Sequence, residues 1–279
     1  MGLWYAFCDM LPFEMLHWTF MKHALLAVII MAPLFGISST MIVTGKMSFF
    51  SDALGHSAFT GIAIGALCGI AGPTWVAVIF SVAFALLFSY VRSRSNQTAD
   101  TIIGVFSSTA VALGIFIATM NGNSFTKYNR YLIGDILSIS PGEIGLLICA
   151  LAGVLILWVL TSNRLVLSSI YPQLASSRGI PVHLIQTAFT VSIAVIVTLS
   201  ISWVGLLILN SLLVLPGATS KNISKNLLQY HLFSVLTALL SGIAGLCISY
   251  LLDVSAGSAI SLVAALLFFL SFMFRKVRK

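Results

Sequence analysis

Lys46 to Gly65 reads KMSFFSDALGHSAFTGIAIG and sets two ionisable side chains, Asp52 and His56, in apolar surroundings. On a helix, positions four apart share a face, so the carboxylate and the imidazole lie one turn from each other. That pair suits a borderline first-row divalent ion such as Zn²⁺, Mn²⁺ or Fe²⁺. It also suits a proton relay, and the plain structural alternative is an Asp–His hydrogen bond that fixes helix packing. Ser51, Ala53, Gly55, Ser57, Gly61 and Gly65 keep the segment slim and let other helices approach closely. Two side chains are too few to hold a transition metal firmly, because about four ligands are usual. A second copy related by a two-fold axis would supply two Asp and two His.

The elements that position this pair belong to a membrane protein. Of 279 residues, 59% are apolar and 8% charged, and the mean hydropathy is +1.08. Soluble domains carry about 25% charged residues, so this chain has too little polar surface to coat a globule in water. Apolar runs of span length recur, and about 20 residues are needed to cross a bilayer as helix. They predict about nine spans: Ala24–Val43, Phe49–Cys68, Trp75–Val91, Ile102–Met120, Ile144–Leu160, Leu184–Ile201, Val204–Ala218, Leu232–Leu252 and Ser258–Phe274. The seventh is short and is expected to be broken. Strict alternation in ten-residue units is absent, which argues against a β-barrel. The fold class expected is an all-α integral membrane protein, a polytopic bundle of about eight to nine helices forming a single domain over 1–279. Residues 1–22 hold Asp9 and Glu14 and lack a basic leader, so a surface helix is expected there and not a secretory signal.

The net charge of +7 falls where membrane topology, and not nucleic acid, explains it. Arg92 and Arg94, then Arg164 and Arg178, then Lys221 and Lys225, then Arg275, Lys276, Arg278 and Lys279 follow alternate spans. The positive-inside bias places those loops and the C-terminus in the cytoplasm. Lys127 and Arg130 fall on the opposite side, near Asp135. Among the other histidines, His17, His23, His183 and His231 sit at span ends and read as interfacial residues. Cys8, Cys68, Cys149 and Cys247 show no metal or redox spacing and read as small buried hydrophobes. Ser140, Pro141 and Glu143 carry the signals of a helix start, and Asp253 opens a turn before the last span. The chain contains no GxxxxGK[ST] phosphate loop, so it is not expected to be an enzyme in its own right, and no resident cofactor is expected.

Four blocks carry a family resemblance. The segment GKMSFFSDALGHSAFTGIAIG resembles the signature of the zinc/manganese/iron-type permeases of ABC importers. TADTIIGVFSSTAVALGI (Thr98–Ile115), YLIGDILSIS (Tyr131–Ser140) and WVGLLILNSLLVLPGATS (Trp203–Ser220) resemble the same family's further blocks, in its order along the chain. The resemblance implies a permease in the bacterial cytoplasmic membrane that pairs with a second copy or a close paralogue. Two cytoplasmic ATPase subunits would drive it, and an extracytoplasmic protein would deliver zinc, manganese or iron. It also implies that Asp52 and His56 line the metal path. Ser168–His183 resembles the family's coupling loop, with Tyr171, Gln173, Leu174, Ala175, Arg178 and Gly179 facing the ATPase. Where the family carries acidic residues in this loop, the chain has Tyr171 and Gln173. Two other classes remain open. A proton-coupled secondary transporter would be expected to show an inverted repeat, and DALGH has no counterpart in the second half. A siderophore- or cobalamin-type permease would carry bulky ligands and need no Asp and His at this point.

Overall fold

A computed structural model describes residues 2–10, 12, 14–70, 74–120, 134 and 136–273. Lys127, Arg130, Asp135 and the basic C-terminal residues lie outside these. Among the described residues there is no strand. The helices are α1 (Gly2–Asp9), α2 (Thr19–Thr44), α3 (Phe50–Leu67), α4 (Thr74–Arg94), α5 (Ala99–Thr119), α6 (Pro141–Ile170), α7 (Pro172–Ser177), α8 (Val182–Ile223), α9 (Leu227–Leu252) and α10 (Ala256–Met273).

Eight helical segments among the described residues are long and apolar enough to cross a membrane. They are α2, α4, α5, α6, α9, α10 and the two parts of α8, Val182–Ile201 and Val204–Ile223. The second expected span, Phe49–Cys68, forms its helix as α3 but is not among the eight. Asp52, His56 and its serines and glycines lower its hydropathy. The seventh expected span, Val204–Ala218, is longer than expected and runs on as helix to Ile223; a kink at its start separates it from the sixth. Gly205 interrupts α8 with φ 77° and ψ 159°, a conformation L side chains rarely adopt. A Cβ added at Gly134 would lie 2.3 Å from the Gly205 amide nitrogen, so both positions need glycine. The start of α6 is closed by a reciprocal cap. Ser140 N–H donates to Glu143 Oε2 at 2.7 Å, and Glu143 N–H donates to Ser140 Oγ at 3.4 Å.

The chain divides into two compact units, with boundaries inside α2, inside α6 and at the α8 break. The first comprises Met1–Thr40, Gly134–Gly153 and Trp203–Lys279. Within it, polar side chains tie helix to helix. Ser234 Oγ donates to Gly36 O at 2.6 Å, Ser211 Oγ to Ser261 Oγ at 2.7 Å, and Gly217 N–H to Ser39 Oγ at 2.8 Å. His231 belongs to this network, with Nδ1 2.8 Å from Thr40 Oγ1, and is half-buried instead of solvated. The N-terminal segment is anchored too. Trp4 Nε1 donates to Lys22 O at 2.9 Å, Lys22 pairs with Asp9, and Cys8 is fully buried. Cys68 and Cys149 are exposed, contrary to expectation. Cys149 lies on the outward side of α6, where the bilayer is the apolar medium that takes the place of a core.

The second unit comprises Met41–Ile133 and Val154–Ser202. Its centre is α3, packed on α4 and α5. Thirteen of the eighteen α3 residues are buried. The approach is close: a Cβ at Gly61 would lie 2.5 Å from Ala77 Cα. Ser57 and Ser81 hydroxyls meet at 3.1 Å, and Thr60 Oγ1 donates to Ala110 O at 2.7 Å. Phe50, Phe84, Phe88 and Phe106 fill the space below with tilted and edge-on rings, centroids 4.5–5.5 Å apart.

Candidate metal path

Because α3 is buried on nearly all sides, the residues it leaves accessible stand out. Within the helix these are Asp52, His56 and Ile64 along one strip, and Ala66 and Leu67 at its end. Thr60, the position between His56 and Ile64 in the i, i+4 series, turns its hydroxyl into α5. The strip therefore presents a carboxylate, an imidazole and little else. The Asp52 side chain is 40% exposed and that of His56 22%.

Asp52 Oδ2 and His56 Nε2 stand 3.5 Å apart. That is longer than a good hydrogen bond, so the pair is not locked together. Ser107 Oγ, on α5, donates to the same Asp52 oxygen at 3.3 Å. The Thr60 hydroxyl also meets the His56 carbonyl at 2.9 Å, which ties the His56 turn of α3 to α5. α5 thus contacts the Asp52 carboxylate directly and the His56 turn only through its backbone, and both side chains stay partly exposed. Sequence reasoning found the pair through its i, i+4 spacing and missed Ser107. The signal available was a Ser-Ser step, Ser107-Ser108, inside an otherwise apolar helix. No group of three or more His, Cys, Asp or Glu that could hold a metal exists among the described residues. Among the described residues, the strip thus sets one carboxylate and one imidazole side by side.

The loop candidate also takes a defined form. α7 is a single short helix with Tyr171 before it and Arg178 after it, followed by Gly179 at φ 72°. Tyr171, Gln173, Leu174, Arg178 and Gly179 are exposed. Ala175, expected to face a partner with them, is fully buried. Its carbonyl accepts from Ile180 N–H at 3.1 Å, and Ile180 packs against the cluster of Met41, Leu165 and Ile185. One face of the turn is anchored and the other is free.

Eight apolar helices of span length among the described residues and a carboxylate–imidazole pair on the accessible strip of a buried helix describe a polytopic membrane protein with polar groups at depth, as permeases have. The chain belongs to the ABC 3 transport family, whose model matches residues 17–275. It is 29% identical over 262 residues to the manganese transport system membrane protein MntC of Halalkalibacterium halodurans, covering 94% of this chain and 89% of that one. It is 28% identical over 259 residues to the high-affinity zinc uptake system membrane protein ZnuB of Haemophilus influenzae, covering 91% and 97%. Its fold is similar to a chain of PsaBC from Streptococcus pneumoniae solved with a Fab, at TM-score 0.80 and 26% identity over 98% of this chain and 95% of that one. A transporter described as of the metal-chelate ABC type, in an inward-facing conformation, shares the fold at TM-score 0.68 and 14% identity, covering 91% and 86%.

Proposed function

We propose that this chain is the permease subunit of an ATP-driven importer for manganese or zinc, and that Asp52 and His56 form the selective point of its metal path. The observation that carries this reading is the open strip of α3: the one polar, accessible line on a buried helix holds the two best ligands in the described chain. A two-fold partner, an identical copy or a close paralogue, would bring two carboxylates and two imidazoles together. Two carboxylates neutralise a dication, which offsets its desolvation, and four N/O ligands complete a tetrahedral shell. Relatives named for manganese and for zinc support both metals, and one oxygen and one nitrogen donor per copy suit either. Weak coordination is what a conducting site requires, and two ligands per copy are fewer than a firmly held metal takes.

Energy comes from partners. The exposed face of α7, Tyr171, Gln173, Leu174 and Arg178, would meet a cytoplasmic ATPase, and an extracytoplasmic metal-binding protein would load the opposite side. Basic residues at Arg92, Arg94, Arg178 and Lys221 favour the ATPase side as cytoplasmic, in a bacterial inner membrane, with the C-terminus on that side.

The test is metal uptake by the purified permease reconstituted with its ATPase. Uptake of Mn²⁺ or Zn²⁺ should require ATP and should fall to background in Asp52→Asn and in His56→Ala, with assembly intact. Uptake driven by a pH gradient without ATP would instead identify a secondary transporter. Wild-type rates in both variants would make the pair a packing feature.

A further inference from the structure

The end of α4 holds a cation whose partners do not match it. Arg92 is half-buried, with Nη1 donating to Met47 Sδ at 2.8 Å and Nη2 reaching Gly45 O at 3.5 Å. A thioether is a weak acceptor, and 3.5 Å lies beyond a good N–H···O distance. The ion pairs among the described residues are Asp9–Lys22 and Asp52–His56, and neither involves Arg92. A guanidinium carries five N–H donors in a planar fork that fits a carboxylate with two parallel bonds. Its support is fixed, because the turn beneath it is closed by Gly45 N–H to Met41 O at 2.8 Å and Met47 N–H to Ile42 O at 3.0 Å.

Two cavities meet at this guanidinium. One of about 100 Å³ has Met47, Ser168, Pro172 and Gln186 in its wall, and one of about 150 Å³ has Ser93, His183 and Gln186; Arg92 lines both. Neither wall contains an Asp or Glu. Neighbouring donors are already engaged: Gln186 Nε2 with Ser168 O at 3.2 Å, Ser168 Oγ with Leu165 O at 2.9 Å and Ser93 Oγ with Tyr90 O at 2.8 Å. Arg92 is thus the charge that this space presents, and an anion must come from outside the walls.

The position of the opening narrows the source. Pro172, Ser93 and His183 are exposed. Pro172 is also the first residue of α7 and stands between Tyr171 and Gln173, so a partner seated on the outer face of α7 borders the opening. The unit itself is poor in acid. Outside the Asp52–His56 pair, its described charged residues are Lys46, Arg92, Arg94, Arg164 and Arg178 against Asp100, and α7 contains no Asp or Glu. The complement of such a face is acidic.

We infer that the Arg92 cavity receives an Asp or Glu side chain of the ATPase subunit, which pairs with the guanidinium beside the α7 contact. The inference rests on α7 being the ATPase-facing turn, and it adds to that turn a charged anchor on α4.

The experiment uses the full permease–ATPase complex. Arg92→Lys puts an amine in place of the guanidinium, and a carbodiimide joins an amine to a carboxylate in contact with it. The variant should link at this position to an ATPase peptide containing Asp or Glu, identified by mass spectrometry. Arg92→Gln should weaken ATPase binding about tenfold, the low end for a close charge pair at an interface, and its difference from wild type should narrow as salt rises. Ser93→Glu, exposed in the same wall, sets a competing carboxylate beside Arg92 and should weaken binding alike, which serves if Arg92→Gln does not assemble. Leu174→Cys, on the outer face of α7, checks the ATPase contact separately by thiol crosslinking. Crosslinks from Leu174→Cys with none from Arg92→Lys, or Arg92→Lys linked to a carboxylate of the permease, overturn the inference and leave the α7 contact standing. Crosslinks from neither, in an assembled complex, overturn both. Unchanged ATPase affinity in Arg92→Gln and Ser93→Glu overturns the inference as well. Phospholipid or inorganic phosphate retained by wild type and lost in Arg92→Gln, with that affinity unchanged, would assign the cavity to a different anion.

Discussion

Helices α3 and α6 invert the rule that governs proteins in water. α3, the long helix that falls short of the eight spans in apolar content, is buried along thirteen of eighteen residues. α6 is the most apolar of the eight spans, and only 11% of its most apolar stretch is buried. In water, apolar surface drives burial. In a bilayer, lipid solvates leucine as well as a core does, so apolar content no longer decides which helix goes inside. Small side chains and hydroxyl-to-carbonyl hydrogen bonds decide it. Ser57–Ser81 and Thr60–Ala110 hold α3 inward, while Ile156, Val159 and Leu160 leave α6 outward at 61–72% exposure.

The contrast can be broken at four points, in falling order of effect. Asp52→Asn or His56→Ala should abolish metal uptake while leaving insertion and detergent-stable assembly unchanged. Uptake assays beside size-exclusion profiles check this, and joint loss of fold and uptake would assign the pair to packing. Gly61→Leu should destabilise the second unit by about 1–3 kcal/mol or more, because its first carbon already meets Ala77 Cα. A thermal-shift measurement in detergent should show the fall, and an unchanged midpoint would contradict the close packing of α3 on α4. Ser107→Ala removes one donor from a partly exposed carboxylate. Uptake should weaken about two- to tenfold, the scale of a long hydrogen bond to a partly exposed carboxylate, with selectivity between Mn²⁺ and Zn²⁺ shifting and stability nearly constant. Leu160→Ala on the outward face of α6 should change stability by no more than about 0.5 kcal/mol. A large loss would mean that this face is covered by a partner and not by lipid.

Much of this was legible from residue spacing. The i, i+4 relation of Asp52 and His56, the Ser140–Glu143 cap and the separation of the spans that end at Ile201 and start at Val204 are local properties that short range determines. Ser107 was not legible, because its role depends on which face α5 turns to α3, and that is settled by packing more than fifty residues away. Ala175 failed for a similar reason. Its inward side was set by the non-local cluster that Ile180 joins, not by anything in its own turn. His231 read as interfacial from its place at a span end, but Thr40, distant in sequence, supplies a partner that draws it in. Cys149 was misplaced because the outward side of a membrane span looks like a core by composition alone.

The anchoring of α7 has a mechanical consequence. Ile180, whose N–H bonds the Ala175 carbonyl, fastens that short helix to Met41, Leu165 and Ile185, all within the unit that carries α3. Leu174 and Tyr171 project outward like the end of a handle. A load applied there is borne by close-packed side chains instead of a slack connection, and it reaches the body holding Asp52 without leaving that unit. Small displacements at the handle can then become displacements of Asp52 and His56, and stiffness in this stretch governs how much is lost on the way.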